Sequence, residues 1–369
     1  MKYASDSLPE WVDRSKPGIW RYWRLLPIMD PGQCTDLGEG ATPLFKADKL
    51  GEVLGLRNLW VKDESRNPTA TFKVREAGLT FARFREIGVH EFVVCSTGNT
   101  AAGFVRGASR FSELTLHLLI PLLGRERINF HIPSNVRAGF VGTDYFRTME
   151  IANEYATHLG IAFEGGFENP CRRESMKAIS FEIFEAGVRP DFYVQSVGSG
   201  VGPYGVHKGF TELEKTGMRI KPPHLVCVQP ENCAPIVEAY RRGLEDLPPD
   251  LIVPTPNTMA STIANGNPKG YRYLKPVLDE ACGIAEAVTE KEIVDAKGLV
   301  RLERLNSEPA ALVAVAGLKK VVESGYIDRS DVVVLNNSGG YRNGPPKILS
   351  VFSTEDTPLT IYRGLTGGR

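Results

Sequence analysis

The chain has 369 residues, 42% hydrophobic and 24% charged, with 44 Lys+Arg set against 44 Asp+Glu. That length exceeds one ordinary core and predicts two domains, and the composition is that of a globular protein. Balanced charge without a basic run argues against a nucleic-acid partner, and no apolar stretch approaches the roughly 20 residues that span a bilayer.

In chain order, continuous apolar runs predict strands at "NLWVKD" (58–63), "EFVVCS" (91–96), "LTLHLLIP" (114–121), "IAFEGG" (161–166), "DFYVQSV" (191–197), "HLVCVQP" (224–230) and "DVVVLNN" (331–337). Amphipathic segments between them predict helices at 73–87, 99–110, 144–159, 171–187, 204–216, 232–242, 289–304 and 309–324. Apolar strands alternating with helices define an α/β protein with mostly parallel sheets covered on both faces. Residues 121–143 read as a mixture of short helix, strand and loop, and the Pro-rich run 245–258 reads as loop. The opening "MKYASDSLPEWVDRSKPG" lacks the apolar core of a signal peptide, which predicts a cytoplasmic protein. The six cysteines form no C-x-x-C pair, so reduced core thiols and no metal site are expected.

Ligands of open α/β sheets bind at the carboxyl ends of strands, and four turns there carry chemistry. "SVGSGVGPYG" (196–205) leads into a helix with the backbone freedom to cradle a phosphate. Its Gly200, Gly202 and Gly205 also spell G-x-G-x-x-G, a weak dinucleotide signal whose acid, Glu231, falls late. "CSTGNTAAG" (95–103) offers Ser96, Thr97, Asn99 and Thr100 at a helix start, more than capping needs and suited to a carboxylate. "LNNSGG" (335–340) places polar residues and two glycines at a strand end. "NPTATFKVREA" (67–77) puts Lys73 at the mouth of a helix, where the dipole repels a cation unless an anion or a covalent partner offsets it.

Taken together, "EGATPL" (39–44), "VKDESRNPTATFK" (61–73), "CSTGNTAA" (95–102), "ENPCRRESMK" (168–177), "VGSGVG" (197–202), "TIANGNPKG" (262–270) and "SEPAALVAVAGLKKV" (307–321) resemble, in order, the motifs of threonine synthases. These are pyridoxal-phosphate (PLP) enzymes of the tryptophan-synthase-β fold type, and the likeness spans roughly residues 18–345. The resemblance implies two open twisted sheets flanked by helices, PLP fold type II. It implies a large PLP-binding domain (1–79 plus 161–369) and a small mobile domain (80–160) carrying the carboxylate loop.

Lys73 matches the lysine that bonds to PLP and then acts as base, with Phe72 beside it. Asn99 matches the residue on the pyridine hydroxyl, Gly198, Ser199, Gly200, Val201 and Gly202 match the phosphate cradle, and Asn337 or Ser338 would meet the pyridine nitrogen. Ser96, Thr97 and Thr100 would hold the substrate carboxylate, and Lys62, Asn169, Arg172 and Lys177 a substrate phosphate. The implied reaction turns O-phosphohomoserine and water into threonine and phosphate. The alternatives are replacement at Cβ of O-phosphoserine, as in cysteate synthases, or a PLP-binding protein without turnover. A homodimer is also implied. Val74-Arg75 in place of Asp-Arg, Ser175 in place of Gly, and "NNSGG" in place of Thr-Gly-x-Gly read as retuning for another substrate or acceptor.

Overall fold

The computed structural model describes residues 10–367. In order these form β1 (Leu44–Lys46), α1 (Asp48–Leu54), β2 (Asn58–Asp63), α2 (Lys73–Glu86), β3 (Glu91–Cys95), α3 (Asn99–Ala108), β4 (Thr115–Pro121), β5 (Val136–Val141), α4 (Tyr145–Leu159) and β6 (Ala162–Phe163). Then follow α5 (Pro170–Glu185), β7 (Phe192–Ser196), α6 (Val201–Lys215), β8 (His224–Pro230), α7 (Pro235–Arg241), α8 (Tyr271–Glu280), β9 (Ile284–Val288), α9 (Glu290–Leu302), α10 (Pro309–Glu323), β10 (Val332–Asn337), β11 (Ser350–Phe352) and α11 (Pro358–Thr366).

The strands build a six-stranded sheet, β1-β2-β10-β7-β8-β9, and a five-stranded sheet, β11-β5-β4-β3-β6. The pairings are parallel throughout except β1 against β2. This is the expected α/β architecture. The central strands are buried on both faces, as their Val/Leu/Ile runs require. The helices are stopped and started by local chemistry: Asp144 caps α4 by accepting from the Arg147 N–H, Thr289 and Glu292 form a reciprocal capping box on α9, and Pro170 and Pro309 open α5 and α10.

Elements that the sequence does not announce lie at sheet edges or are short. β1, β9 and β11 are edge strands, and α1, α8 and α11 are additional helices. The strand expected over 161–166 shrinks to Ala162–Phe163, because Gly165 and Gly166 take φ of 83° and 63° and turn the chain away. The five-stranded sheet reaches past residues 80–160, since it takes in β6 and, from the far end of the chain, β11 with α11 against it.

Two close helix crossings set the geometry of the site. A Cβ on Gly103 would stand 2.7 Å from the Lys73 carbonyl oxygen, so α3 lies directly against the first turn of α2. A Cβ on Gly205 would stand 2.2 Å from the Arg173 carbonyl oxygen, so α6 lies equally close on α5. Thus the third glycine of G-x-G-x-x-G serves helix packing, whatever the first two hold.

Candidate active site

The carboxyl ends of β3, β7 and β10 meet the starts of α2, α3, α6 and α10 around a cleft of about 790 Å³, open space included. Lys73 reaches it because the stretch before α2 is stitched to the exit of β10. The Phe72 N–H donates to the Ser338 carbonyl oxygen at 3.2 Å, and Thr71 pairs with Gly339. The Lys73 side chain is 19% exposed, its Nζ 2.6 Å from Glu76 Oε1 and 4.5 Å from the Phe72 ring centroid. Burial pulls its amine below the ordinary lysine range, the adjacent Glu76 carboxylate pushes back, and Arg172 lowers it further. A lysine so placed is more easily deprotonated than one in water, as a nucleophile and base must be.

Loop 96–100 faces Lys73 from the five-stranded sheet. Ser96 Oγ braces it by accepting from the N–H groups of Gly98 (3.1 Å) and Ala101 (2.7 Å). Gly98 has φ 141° and lies where a Cβ would be 2.7 Å from that of Arg127. The N-cap Gly98 has no side chain and Ser96 Oγ takes only the Ala101 N–H of α3, which leaves the N–H groups of Asn99 and Thr100 beside the cleft that Thr97, Asn99 and Thr100 line. Asn99 is itself held on both ends. Its Nδ2 donates to Glu308 Oε1, and its Oδ1 accepts from Arg342 at 2.8 Å. Glu308, the residue before α10, also takes Arg127 at 2.5 Å.

The loop from Ser196 to Gly202 forms the opposite wall. Gly200, at φ 85°, precedes α6 without a side-chain cap, and a Cβ there would strike Leu274 at 2.6 Å. The first N–H groups of α6 are therefore free for an anion. The buried Ser196 Oγ, which lines the cleft, has no hydrogen-bond partner among the described residues. An uncapped helix start, a glycine cradle and an orphaned hydroxyl are what a phosphate-bearing cofactor requires.

Of the residues read from the sequence, Phe72, Lys73, Ser96, Thr97, Asn99, Thr100, Arg172, Gly198, Ser199, Gly200, Val201, Gly202 and Ser338 line this cleft. Lys62, Asn169, Lys177 and Asn337 do not, and each has a structural occupation instead. Lys62 is wholly buried, bonded to Glu182 at 2.6 Å and to both oxygens of Thr42 at 2.5 Å. Asn169 caps α5 and donates to Glu164 and Thr80. Lys177 is bound by the Leu25 carbonyl, Glu174 (2.7 Å) and Glu212 (2.9 Å). Asn337 donates to Asp63 and the Asn306 carbonyl and accepts from Ser307. The sequence reading missed Glu76, Tyr145, Gln195, Ser196, Glu308 and the turn Thr262–Asn265 as contributors. Glu308 and the 262–265 turn stand in stretches already marked by resemblance, whereas Tyr145 and Glu76 had no signal of their own.

Residues 35–339 match the family described as "Pyridoxal-phosphate dependent enzyme". The chain belongs to that family: it is a PLP-dependent enzyme, a lyase of the threonine synthase-like kind, and its cofactor is PLP. It is 33% identical over 329 residues to the threonine synthase of Methanocaldococcus jannaschii, an alignment covering 87% of this chain and 80% of that one. It is 30% identical over 354 residues to the cysteate synthase of Methanosarcina mazei, covering 89% and 82%. The structure of maize serine racemase superposes with a TM-score of 0.66 at 16% identity, over 82% of this chain and 90% of that one. Threonine deaminase isoform 2 of Solanum lycopersicum gives 0.65 at 20%, over 82% and 80%. The two-sheet architecture is that of PLP fold type II.

Among the described residues no helix is long and apolar enough to cross a membrane, and no group of three or more His, Cys, Asp or Glu is placed to hold a metal ion.

Proposed function

We propose that the protein removes the α-proton of an amino acid and expels a group from its side chain, with or without replacement. The observation that carries the reading is Lys73, with its lowered amine, set between the uncapped start of α6 and the polar loop 96–100. PLP, when bound, supplies an electron sink for the carbanion. Lys73 holds the cofactor and then takes the proton from Cα. Gly198–Gly202 and Ser196 grip the cofactor phosphate, and Ser338 meets its ring nitrogen, a reading supported by Ser338 lining the cleft while Asn337 bonds Asp63. Ser96 shapes the 96–100 loop, whose free N–H groups, Thr97 and Thr100 orient the substrate carboxylate.

The small domain around 80–160 closes on the large one to exclude water, with the Arg127–Glu308 and Arg342–Asn99 contacts as its latch. O-Phosphohomoserine with attack by water is the threonine synthase-like form of the reaction. Loss of phosphate from Cβ of O-phosphoserine is the cysteate synthase-like one. A homodimer is part of the proposal and is tested by light scattering.

Borohydride reduction of the PLP-loaded protein followed by peptide mapping should fix the cofactor on Lys73, and amino acids in deuterated water should exchange their α-hydrogen. Label on another lysine, or no exchange with any amino acid offered, would overturn the assignment.

A further inference from the structure

We infer that the amino acid this enzyme processes bears an uncharged leaving group, a β-hydroxyl, and not a phosphate ester. The inference rests on the reading above and names its substrate class. The charged side chains lining the cleft are Lys73, Arg172 and Glu308. A substrate phosphate needs a cation with charge to spare, and Arg172 has none. Its Nε donates to Glu164 Oε1 at 2.6 Å and its Nη2 to Glu164 Oε2, a two-pronged pair, and its Nη1 lies 3.5 Å from Glu76 Oε2. Lys62 and Lys177, which would complete a phosphate site, are consumed by Glu182 and by Glu174 and Glu212. Lys73 and Arg172 are thus matched by Glu76 and Glu164, both buried immediately behind them. A dianion beside Arg172 would face two fixed carboxylates. Positive charge does remain at the other end, where Arg342 stands behind Asn99 beside the loop that takes the α-carboxylate.

A second observation points the same way. Glu76 is fully buried and its Oε1 holds Lys73 Nζ, while its Oε2 has no hydrogen-bond partner among the described residues. Phosphate departs as an anion without help, but a hydroxyl needs a proton. The Cα–H bond breaks to Lys73, its electron pair becomes the Cα–Cβ double bond, and the Cβ–O bond breaks. Lys73, held in place by Glu76, returns that proton to the departing oxygen, which leaves as water. The remaining enamine hydrolyses to a 2-oxo acid and ammonia, or accepts a nucleophile at Cβ. Glu76 is a positioning residue here, acting through Lys73.

The test uses the PLP-loaded enzyme and two pairs: L-serine with O-phospho-L-serine, and L-threonine with O-phospho-L-threonine. Binding is read from the change in cofactor absorbance and turnover from 2-oxo acid or phosphate released. The hydroxyl member should bind at least about tenfold more tightly and react faster in each pair. Tighter binding or faster reaction of the phosphorylated member would overturn this inference and leave the proposed function standing. If neither member of either pair changes the absorbance or reacts, this inference falls, and the proposed function is judged by the α-hydrogen exchange test above. Glu76→Gln should improve phospho-amino-acid binding relative to the hydroxyl member. It should also lower the pH at which the Lys73-bound cofactor changes colour, because a neighbouring carboxylate holds a proton on Nζ. An unmoved colour midpoint in a folded variant would refute the role of Glu76.

Discussion

Replacing Arg75 by methionine is the sharpest test of how the base of the site is held. Arg75 is wholly buried one turn into α2 and meets Glu64 at 2.8 Å through Nε and Nη2, and Glu182 at 2.7 and 2.8 Å through Nη1 and Nη2. Lys62 bonds Glu182 at 2.6 Å but stands 3.9 Å from Glu64. Two cations and two carboxylates therefore balance, joining β2, α2 and α5 beneath Lys73. Burial alone would raise the Glu182 carboxyl, but the attraction of Arg75 and Lys62 outweighs it and holds the group down. Arg75→Met leaves one buried negative charge uncompensated and four short bonds unmade. A break of that kind costs about 3–5 kcal/mol. Urea unfolding of the PLP-loaded protein, followed by fluorescence, measures it. Urea is the right denaturant because it leaves ion pairs unscreened. Arg75→Met with Glu182→Gln restores neutrality and should recover at least about 1 kcal/mol. A single variant that loses less than about 1 kcal/mol, or a double variant no better than the single, would refute the reasoning.

Four further outcomes are expected. Lys73→Ala should lose both the borohydride-fixable cofactor and α-hydrogen exchange while unfolding like the parent; exchange at the parent rate would refute its role as base. Gly103→Ala should cost about 1–3 kcal/mol and weaken PLP binding, because the atom its methyl group meets is backbone and cannot swing aside; parental stability and cofactor titration would refute the tight crossing. Burial raises the Glu39 carboxyl from 4.5 to about 8, so between those values the unfolded chain has released a proton that the folded chain keeps, and stability falls as pH rises through that window. Glu39→Gln should flatten that fall, which is about 1.4 kcal/mol per pH unit at its steepest; an unchanged pH profile of urea midpoints would count against it. Arg127→Met cuts a contact between the 121–143 segment and Glu308 and should raise KM several-fold with less than about 1 kcal/mol of stability lost, since Arg127 is one-fifth exposed; a loss mainly in stability would contradict the latch.

The strands legible in the sequence are those buried on both faces, such as β4, β8 and β10, because continuous burial writes a continuous apolar run. β5 leaves a weaker mark although it is paired on both sides: Val136–Val141 carries Arg137 and Gly139, and the glycine is there because the Phe352 ring lies 2.4 Å from where a Cβ would be. Pro276 inside α8 hid that helix. In the site, the turns that hold Lys73, loop 96–100 and loop 196–202 were legible because strand ends and glycines mark them locally. That Lys62, Asn169 and Lys177, expected around a substrate phosphate, meet carboxylates away from the cleft has a physical origin. Their partners Glu182, Glu164, Glu174 and Glu212 are brought to them by folding, and no local pattern tells a cation awaiting a ligand from one already neutralised.

The order of strands bears on how the protein is made. β10 lies between β2 and β7, and β11 closes the edge beyond β5, yet both come from the far end of the chain. While the ribosome is still adding those residues, one sheet has a gap at its centre, the other has an open edge, and Ser338 has yet to join the wall opposite Lys73. Lys73 is thus translated early and stays without its cleft until synthesis is nearly over. Stalled chains that end before Val332 should not retain PLP on Lys73, and chains that extend past β11 should.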